Sequence, residues 1–253
     1  MQLDVILRTH DQGSLHDYSP RIIDVPKAEI VRRCVISLVT ALDGVEHTLT
    51  ILDDHSSVKT CQFLCRQNYT DLISTGPGNN ASLLQAVQIA RDSRADLVYM
   101  IEDDYLHTPN AITEMLVFVE LAKTKGLQSV AIHPYDDHDN YTRAEFASCQ
   151  VVAGQDRHWR TNTYSTGIVL AEPWVFREPE WETLARDYDK PGKNIHEGTT
   201  INRIWEDRLP LFTPLPSLAV HLNGNAPPLV DFGRLWEMNA TEKEHGRQHL
   251  RSN

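Results

Sequence analysis

Positive charge is scarce in this 253-residue chain, where 24 lysines and arginines meet 35 aspartates and glutamates for a formal net charge of −11 at pH 7. Such a chain gains little from long-range attraction to nucleic acid or to an anionic membrane. No Lys/Arg cluster stands out that would build a local basic groove. Long apolar runs are missing too, and no stretch reaches the roughly 18 residues of a membrane span. The N-terminus leads straight into Leu3-Asp4-Val5-Ile6-Leu7 without a basic n-region, a long apolar core or a cleavage site, so the expected location is cytoplasmic. Cysteine is sparse, and the four present have no spacing that demands a disulfide framework. Cys61 and Cys65, four apart, can share a helix face, either as a metal pair or as two ordinary thiols. Repeats and low-complexity segments are absent.

What is present is an alternation. Residues 3 to 7 read as a buried strand ending at Arg8-Thr9-His10, followed by a loop with Gly13 and Pro20. Ile30, Cys34, Val35, Leu38 and Leu42 recur at helical spacing. A strand at residues 49 to 52 runs into Asp53-Asp54-His55-Ser56-Ser57, whose short polar side chains can cap a helix from Val58 to Arg66. Residues 71 to 74 predict a third strand, and Asn79 or Asn80 can cap a helix carrying Leu83, Leu84, Val87 and Ala90. Residues 97 to 101 predict a fourth strand. Thr108-Pro109 opens another helix, which Gly126 ends, and residues 128 to 132 return as a strand. Strand-like runs recur at residues 167 to 170 and 217 to 222, and the tail after Asn239 is polar.

Strands alternating with helices predict an α/β fold with a mainly parallel sheet covered on both faces. Ligands of such sheets bind outside the carboxyl ends of the strands. Three polar clusters fall at predicted strand ends: Thr9-His10-Asp11, Asp53-Asp54 and Glu102-Asp103-Asp104. They are expected to converge on one crevice, which is the argument from the residues for an enzyme. Three consecutive carboxylates after an apolar strand repel one another unless a cation or a hydrogen-bond network compensates them. Mg²⁺ or Mn²⁺ would do so while leaving coordination sites for phosphate oxygens; a solvated, helix-capping acidic turn is the bland alternative.

Residues 3 to 110 resemble the nucleotide-binding half of the GT-A glycosyltransferases, and in particular their family-2, fringe-like and N-acetylglucosaminyltransferase branches. Four segments carry the likeness in order. They are Val5 to His10 as the first strand and its threonine loop, Ile51 to Ser57 as an aspartate-aspartate-x-serine segment, Gly78-Asn79-Asn80-Ala81-Ser82 as a glycine/asparagine turn, and Tyr99 to Asp104 as a DxD-type metal motif followed by Pro109. The resemblance implies a GT-A, Rossmann-like fold, with a nucleotide-sugar-binding half over 1–110 and a smaller acceptor-binding and catalytic half over 111–239. A polar tail would occupy 240–253. It implies that Thr9 and Asp54 contact uracil, that Asp53, Arg8 and Asn80 lie on the nucleotide side, and that Asp103 lies by the ribose. Asp104 would ligate Mn²⁺ or Mg²⁺, with Glu102 as a further ligand candidate. Pro216-Ser217-Leu218-Ala219-Val220-His221 is similar to the family's proline-serine-x-x-x-histidine strand, which makes His221 another metal candidate and sets Asn223 and Asn225 near phosphate or sugar hydroxyls.

Inverting members of that family place a glutamate-aspartate pair at a helix start to deprotonate the acceptor hydroxyl. Here Glu197 matches the glutamate while Gly198 stands where the aspartate is expected. Glu197 is therefore the expected base, with Glu206 and Asp207 in reserve. His133 to Asp139 reads as a polar acceptor loop or, with looser spacing, a metal site. Tyr164 to Gly167 resembles an acceptor-side segment, and Trp159, Trp174 and Trp181 could stack on a sugar or pack in the core. The donor expected is a UDP-sugar, with an acceptor among glycans, lipid-linked glycans, proteins or small molecules, and a modified nucleic acid less favoured. Two other readings stay open: a catalytically degenerate sugar- or nucleotide-binding domain, and a sugar nucleotidyltransferase. The second usually carries a glycine-rich first loop with arginine and lysine, whereas here no lysine occurs before Lys27.

Overall fold

Alternate residues of the first strand, β1 (Leu3–Thr9), send side chains to opposite faces, and both faces are covered. The computed structural model describes residues 1–12, 21–143, 148–188, 190–224 and 226–240. Gly13, Pro20, Asn225 and the tail from residue 241, named above, lie outside them. In chain order follow α1 (Lys27–Ala41), β2 (His47–Asp53), α2 (Val58–Leu64), β3 (Asp71–Ser74), α3 (Asn79–Asp92), β4 (Leu97–Glu102), β5 (Tyr105–His107) and α4 (Ala111–Thr124). The remainder comprises β6 (Ala131–Ile132), α5 (Asp139–Thr142), β7 (Val151–Ala153), β8 (His158–Asn162), β9 (Val169–Ala171), α6 (Pro179–Asp187), α7 (Asn202–Asp207), β10 (Leu211–Leu215), β11 (Ala219–His221) and α8 (Phe232–Met238).

Among the described residues nine strands form one mixed sheet in the order β3-β2-β1-β4-β9-β6-β10-β8-β7. Strands β1 to β4 run parallel in that order, and β10 runs parallel to β6, whereas β9 is antiparallel to both β4 and β6. The expected α/β fold with a mainly parallel sheet is thus present, and the chain beyond residue 110 continues the same sheet with β9, β6, β10, β8 and β7. On one face Leu3, Val5, Leu7, Leu97, Tyr99 and Ile101 pack with Val31, Val35 and Leu38 of α1 and Ile112 and Met115 of α4. On the other, Ile6, Val98 and Met100 meet Leu83 and Val87 of α3 and Trp181 and Leu184 of α6. Each such side chain contributes about 1.5–3 kcal/mol by leaving water.

Because β2 and β3 lie on one side of β1 and β4 on the other, the strand order reverses between β1 and β4. That gap is where open α/β sheets bind ligands. Its register places Arg8 opposite Glu102, and on the other side of β1, Thr9 opposite Asp53.

Several local expectations are corrected. Helix α3 starts after Gly78, which is at φ 93°, and no side chain caps it; Asn79 and Asn80 are its first two residues. The helix expected to open at Thr108-Pro109 begins at Ala111 as α4, and the Thr108 hydroxyl is buried without a partner among the described residues. Residues 217 to 222 contribute β11, which leaves the main sheet and pairs antiparallel with β5, a strand the sequence pattern hid. A third apolar cluster of Ile30, Cys34, Leu106, Val220, Leu222, Leu235 and Trp236 pins this small sheet between α1 and α8. Among the described residues no helix is long and apolar enough to cross a membrane.

Candidate functional site

A cleft of about 580 Å³ opens at the β1/β4 reversal. Arg8, Thr9, Asp54, Glu102, Asp103, Asp104, Glu197 and His221 all line it, so most residues expected from sequence meet in one place. Tyr164, Thr166 and Gly167 border it as well. A smaller cavity of about 340 Å³ adjoins, sharing Tyr164 and Glu197 and adding Arg143, His196, Asn202 and Glu206.

The acidic turn is compensated carboxylate by carboxylate. Glu102 receives Arg8 Nη1 at 2.6 Å. Asp103 receives Lys27 Nζ at 2.5 Å and the His10 backbone N–H at 2.6 Å. Asp104 accepts from the Asn223 amide at 2.6 Å and lies 3.4 Å from His221 Nε2. The β5–β11 pairing creates this last contact: it sets His221 opposite Tyr105, against whose ring the imidazole stacks at 4.5 Å. Leu222 N–H closes the arrangement by donating to the Asp104 carbonyl at 2.9 Å.

Burial would raise Asp104, but His221 and Lys27 outweigh it and hold the carboxyl below its ordinary range. Burial alone would likewise lower His221, and Asp104 reverses that and raises it. For Lys27, Asp103 and Asp104 overcome burial and keep the ammonium charged. Burial pushes Asp103 up against the pull of Lys27. These are the signs expected when anionic and cationic groups share a poorly hydrated site.

Asp104 bears on the metal question directly. Its Oδ1 is buried and has no hydrogen-bond partner among the described residues, a costly state for a carboxylate oxygen and one that a cation would relieve. With His221 Nε2 beside the other oxygen, the chain offers one carboxylate and one imidazole. No group of three or more His, Cys, Asp or Glu side chains is placed to hold a metal among the described residues. Glu102 is engaged by Arg8 rather than turned to a shared centre. The donor set fits a hard divalent ion only where phosphate oxygens or water complete the shell.

On the nucleotide side the expected residues are already bonded. The Thr9 hydroxyl donates to Asp53 Oδ1 at 2.9 Å, and Asp53 Oδ2 accepts from Ser56 N–H at 3.1 Å, so Asp53 braces the wall without lining the cleft. Asp54 accepts from Gly78 N–H at 2.9 Å and stands 3.0 Å from His55 Nδ1. The Asn80 amide donates to the carbonyls of Arg186 and Tyr188 at 3.1 and 3.2 Å, tying α3 to α6 outside the cleft lining. Its neighbour Asn79 is the one that lines the cleft, where its side chain and carbonyl receive the Arg8 guanidinium. Arg8 also reaches Ser82 Oγ at 3.2 and 3.0 Å.

Glu197 opens a short 3₁₀ turn, Glu197–Thr199, which His196 caps by accepting from Gly198 N–H at 3.2 Å. A Cβ on residue 198 would come within 3.0 Å of the His196 ring, so glycine suits this capped turn. Burial, then the charge of Glu197, pushes the Tyr164 phenol up to about 12.

Other candidates resolve as structure. Trp159 stacks on Phe118 at 4.1 Å, Trp181 is fully buried against Phe176, and Trp174 donates to Glu172; none lines the cleft. In the loop from His133, Asp136 is a buried hub that accepts from Asn140 and Tyr141 and lies 3.8 Å from Arg160. All four cysteines are free, and Cys61 Sγ donates weakly to the Ser56 carbonyl and Asp53. Lys27 and Arg21 were missed by sequence reasoning, although both line the cleft. The available signal was position: Lys27 is the first residue of the helix after β1, and the start of such a helix faces the ligand crevice.

No known family model matches the chain, and no curated protein matches it in sequence. Solved structures match it in fold. The Staphylococcus aureus (S. aureus) TarS 1-349 crystal structure is 10% identical with a TM-score of 0.48 over 84% of this chain, and the chain spans 60% of it. Glucosyl-3-phosphoglycerate synthase from Mycobacterium tuberculosis, in complex with Mn²⁺, UDP and glucosyl-3-phosphoglycerate, is 13% identical with a TM-score of 0.49, over 93% of this chain and 76% of that one. CMP:2-keto-3-deoxy-manno-octonic acid synthetase complexed with CTP is 13% identical with a TM-score of 0.48, over 95% and 98%. The chain is similar to all three in fold alone.

Proposed function

We propose that this chain is a metal-dependent glycosyltransferase that moves a sugar from a UDP-sugar to an acceptor hydroxyl with inversion. The observation that carries the reading is the buried Asp104 oxygen left without a partner beside His221, in the cleft that Glu197 also lines. Asp104 and His221 are the residues that would hold Mn²⁺ or Mg²⁺, whose charge would offset that of the diphosphate leaving group. Asp54 keeps lone pairs to accept from the uracil N–H, while Thr9 and Asp53 stiffen that wall. Asp103, fixed by Lys27 and His10, borders the ribose. Glu197 accepts the proton of the acceptor hydroxyl as its oxygen bonds to the anomeric carbon and the bond from that carbon to the diphosphate oxygen breaks. The cavity shared through Tyr164 and Glu197 admits the acceptor.

The test is slow hydrolysis of a panel of UDP-sugars, with Mn²⁺ and then with excess chelator, by wild type and Glu197→Gln. The expected result is chelator-sensitive release of UDP, lowered about 10²–10⁴-fold by Glu197→Gln with UDP affinity retained. No release from any sugar, or full release by Glu197→Gln, would overturn the assignment. One observation favours a second reading: Arg21, from the segment joining β1 to α1, and Lys27, the first residue of α1, line the cleft where a sugar nucleotidyltransferase would hold a triphosphate. That reading predicts tight CTP or UTP binding and pyrophosphate release with a sugar, and no UDP-sugar hydrolysis.

A further inference from the structure

The cations lining the cleft are unequally committed. Arg8 spends its guanidinium on Glu102, Asn79 and Ser82. Lys27 is bound to Asp103, and His221 and the Asn223 amide attend Asp104. Arg21 differs, because among the described residues its guanidinium makes one long hydrogen bond, 3.5 Å from Nη1 to the Val25 carbonyl. An arginine has five N–H donors in a planar fork, so most of its hydrogen-bonding capacity remains for a ligand.

Its backbone, by contrast, is fixed. Arg21 forms an antiparallel bridge with Asn223, and Ile22 N–H donates to the Leu222 carbonyl at 2.9 Å. The same Leu222 donates to the Asp104 carbonyl, and the Asn223 side chain reaches the Asp104 carboxylate. Arg21 therefore extends the small β5–β11 sheet on the wall that carries Asp104 and His221. Glu102 and Asp103 already have counter-ions in Arg8 and Lys27, so Arg21, a further cation lining the same cleft, is left for an anionic ligand.

We infer that Arg21 binds the diphosphate of the nucleotide donor, using its planar fork on the phosphate oxygens beside Asp104. This rests on the nucleotide-sugar reading of the cleft. Bidentate guanidinium–phosphate pairs are among the stronger charge-assisted hydrogen bonds. Arg21 acts on the phosphates and not on the base or the sugar, so its removal penalises ligands in proportion to their phosphate charge. It also offers the departing diphosphate a fixed partner during transfer.

The experiment is calorimetric titration of UDP, UMP and uridine into wild type, Arg21→Met and Arg21→Lys with Mn²⁺ present, each variant checked by thermal unfolding. Arg21→Met is expected to weaken UDP about tenfold or more, UMP less, and uridine not at all. Arg21→Lys keeps the charge without the fork and is expected to fall between Arg21→Met and wild type for UDP. Equal losses for UDP and uridine would make Arg21 a structural residue and overturn the inference, as would unchanged UDP affinity in Arg21→Met. If Arg21→Met does not fold, the UDP-to-uridine ratio of Arg21→Lys decides: a ratio equal to that of wild type overturns the inference. Wild type failing to bind UDP would instead sink the nucleotide-sugar reading itself, and this inference with it.

Discussion

Replacing Lys27 with methionine removes a cation from beneath the acidic turn and leaves Asp103 behind it. The pair is nearly dry, with side-chain exposures of 15% for Lys27 and 8% for Asp103 at an N–O separation of 2.5 Å. Removing one partner of a buried pair costs about 3–5 kcal/mol, mostly as the penalty of the stranded charge. Here the His10 N–H still holds Asp103, so the lower end, about 3 kcal/mol, is expected. For a chain of this size that is a fall of roughly 6–12 °C in Tm. Burial raises Asp103 above its ordinary 3.8 even with Lys27 present. A group whose folded pKa is raised favours the folded state below its unfolded value and loses that advantage as pH rises through the folded value. The deficit of Lys27→Met should therefore be smallest below about pH 3.8 and grow toward neutrality. Thermal unfolding followed by circular dichroism, with Asp103→Asn and the double variant completing a cycle, reads both effects. The double variant should recover most of the loss. A Lys27→Met deficit under about 1 kcal/mol, independent of pH and unrelieved by Asp103→Asn, would refute the reasoning.

Two further outcomes follow from groups away from the cleft. Glu29 is held down to about 2, first by its hydrogen bond to Arg32, and Arg32 and Arg33 in turn reach the carbonyls of Ala240 and Trp236, clamping α8 onto α1. Glu29→Gln should cost about 1–2 kcal/mol after screening; a depressed carboxylate stabilises above its ordinary 4.5 and loses this as pH falls through about 2, so acid titration of unfolding should show the two proteins converging there. Tyr99→Phe should cost about 1–3 kcal/mol by stranding buried His107, whose Nε2 shares a 2.8 Å hydrogen bond with the phenol, while UDP affinity in the same preparation stays at the wild-type value.

Much of the frame is legible in the sequence because its signals are local. The apolar runs before Arg8, Asp53 and Glu102 mark buried parallel strands, and their polar ends fall at the sheet's reversal. Asp104 and His221 lie far apart in sequence and only the family resemblance links them there; physically the pairing depends on β5, three residues whose register with β11 no periodicity reveals. Asn79 and Asn80 read alike in sequence, and the turn at Gly78 decides that Asn79 faces Arg8 while Asn80 faces α6. In sequence Arg21, in the loop before α1, looks like an ordinary surface cation, and Lys27 carries only the signal of its place at the helix start. Their roles arise from long-range contacts, Lys27 with Asp103 and Arg21 with Asn223, which local pattern does not encode. Aromatic residues suit sugar stacking and cores equally, so sequence leaves both open, and packing against Phe118 and Phe176 puts Trp159 and Trp181 in the core.

The central claim is that Asp104 anchors a divalent ion beneath a uridine diphosphate. Calorimetric titration of the purified chain with UDP, in Mn²⁺ and then in excess chelator, beside Asp104→Ala, tests it most directly. Binding that requires Mn²⁺ and disappears in Asp104→Ala is the predicted result. Metal-independent binding, or full affinity in folded Asp104→Ala, would contradict it.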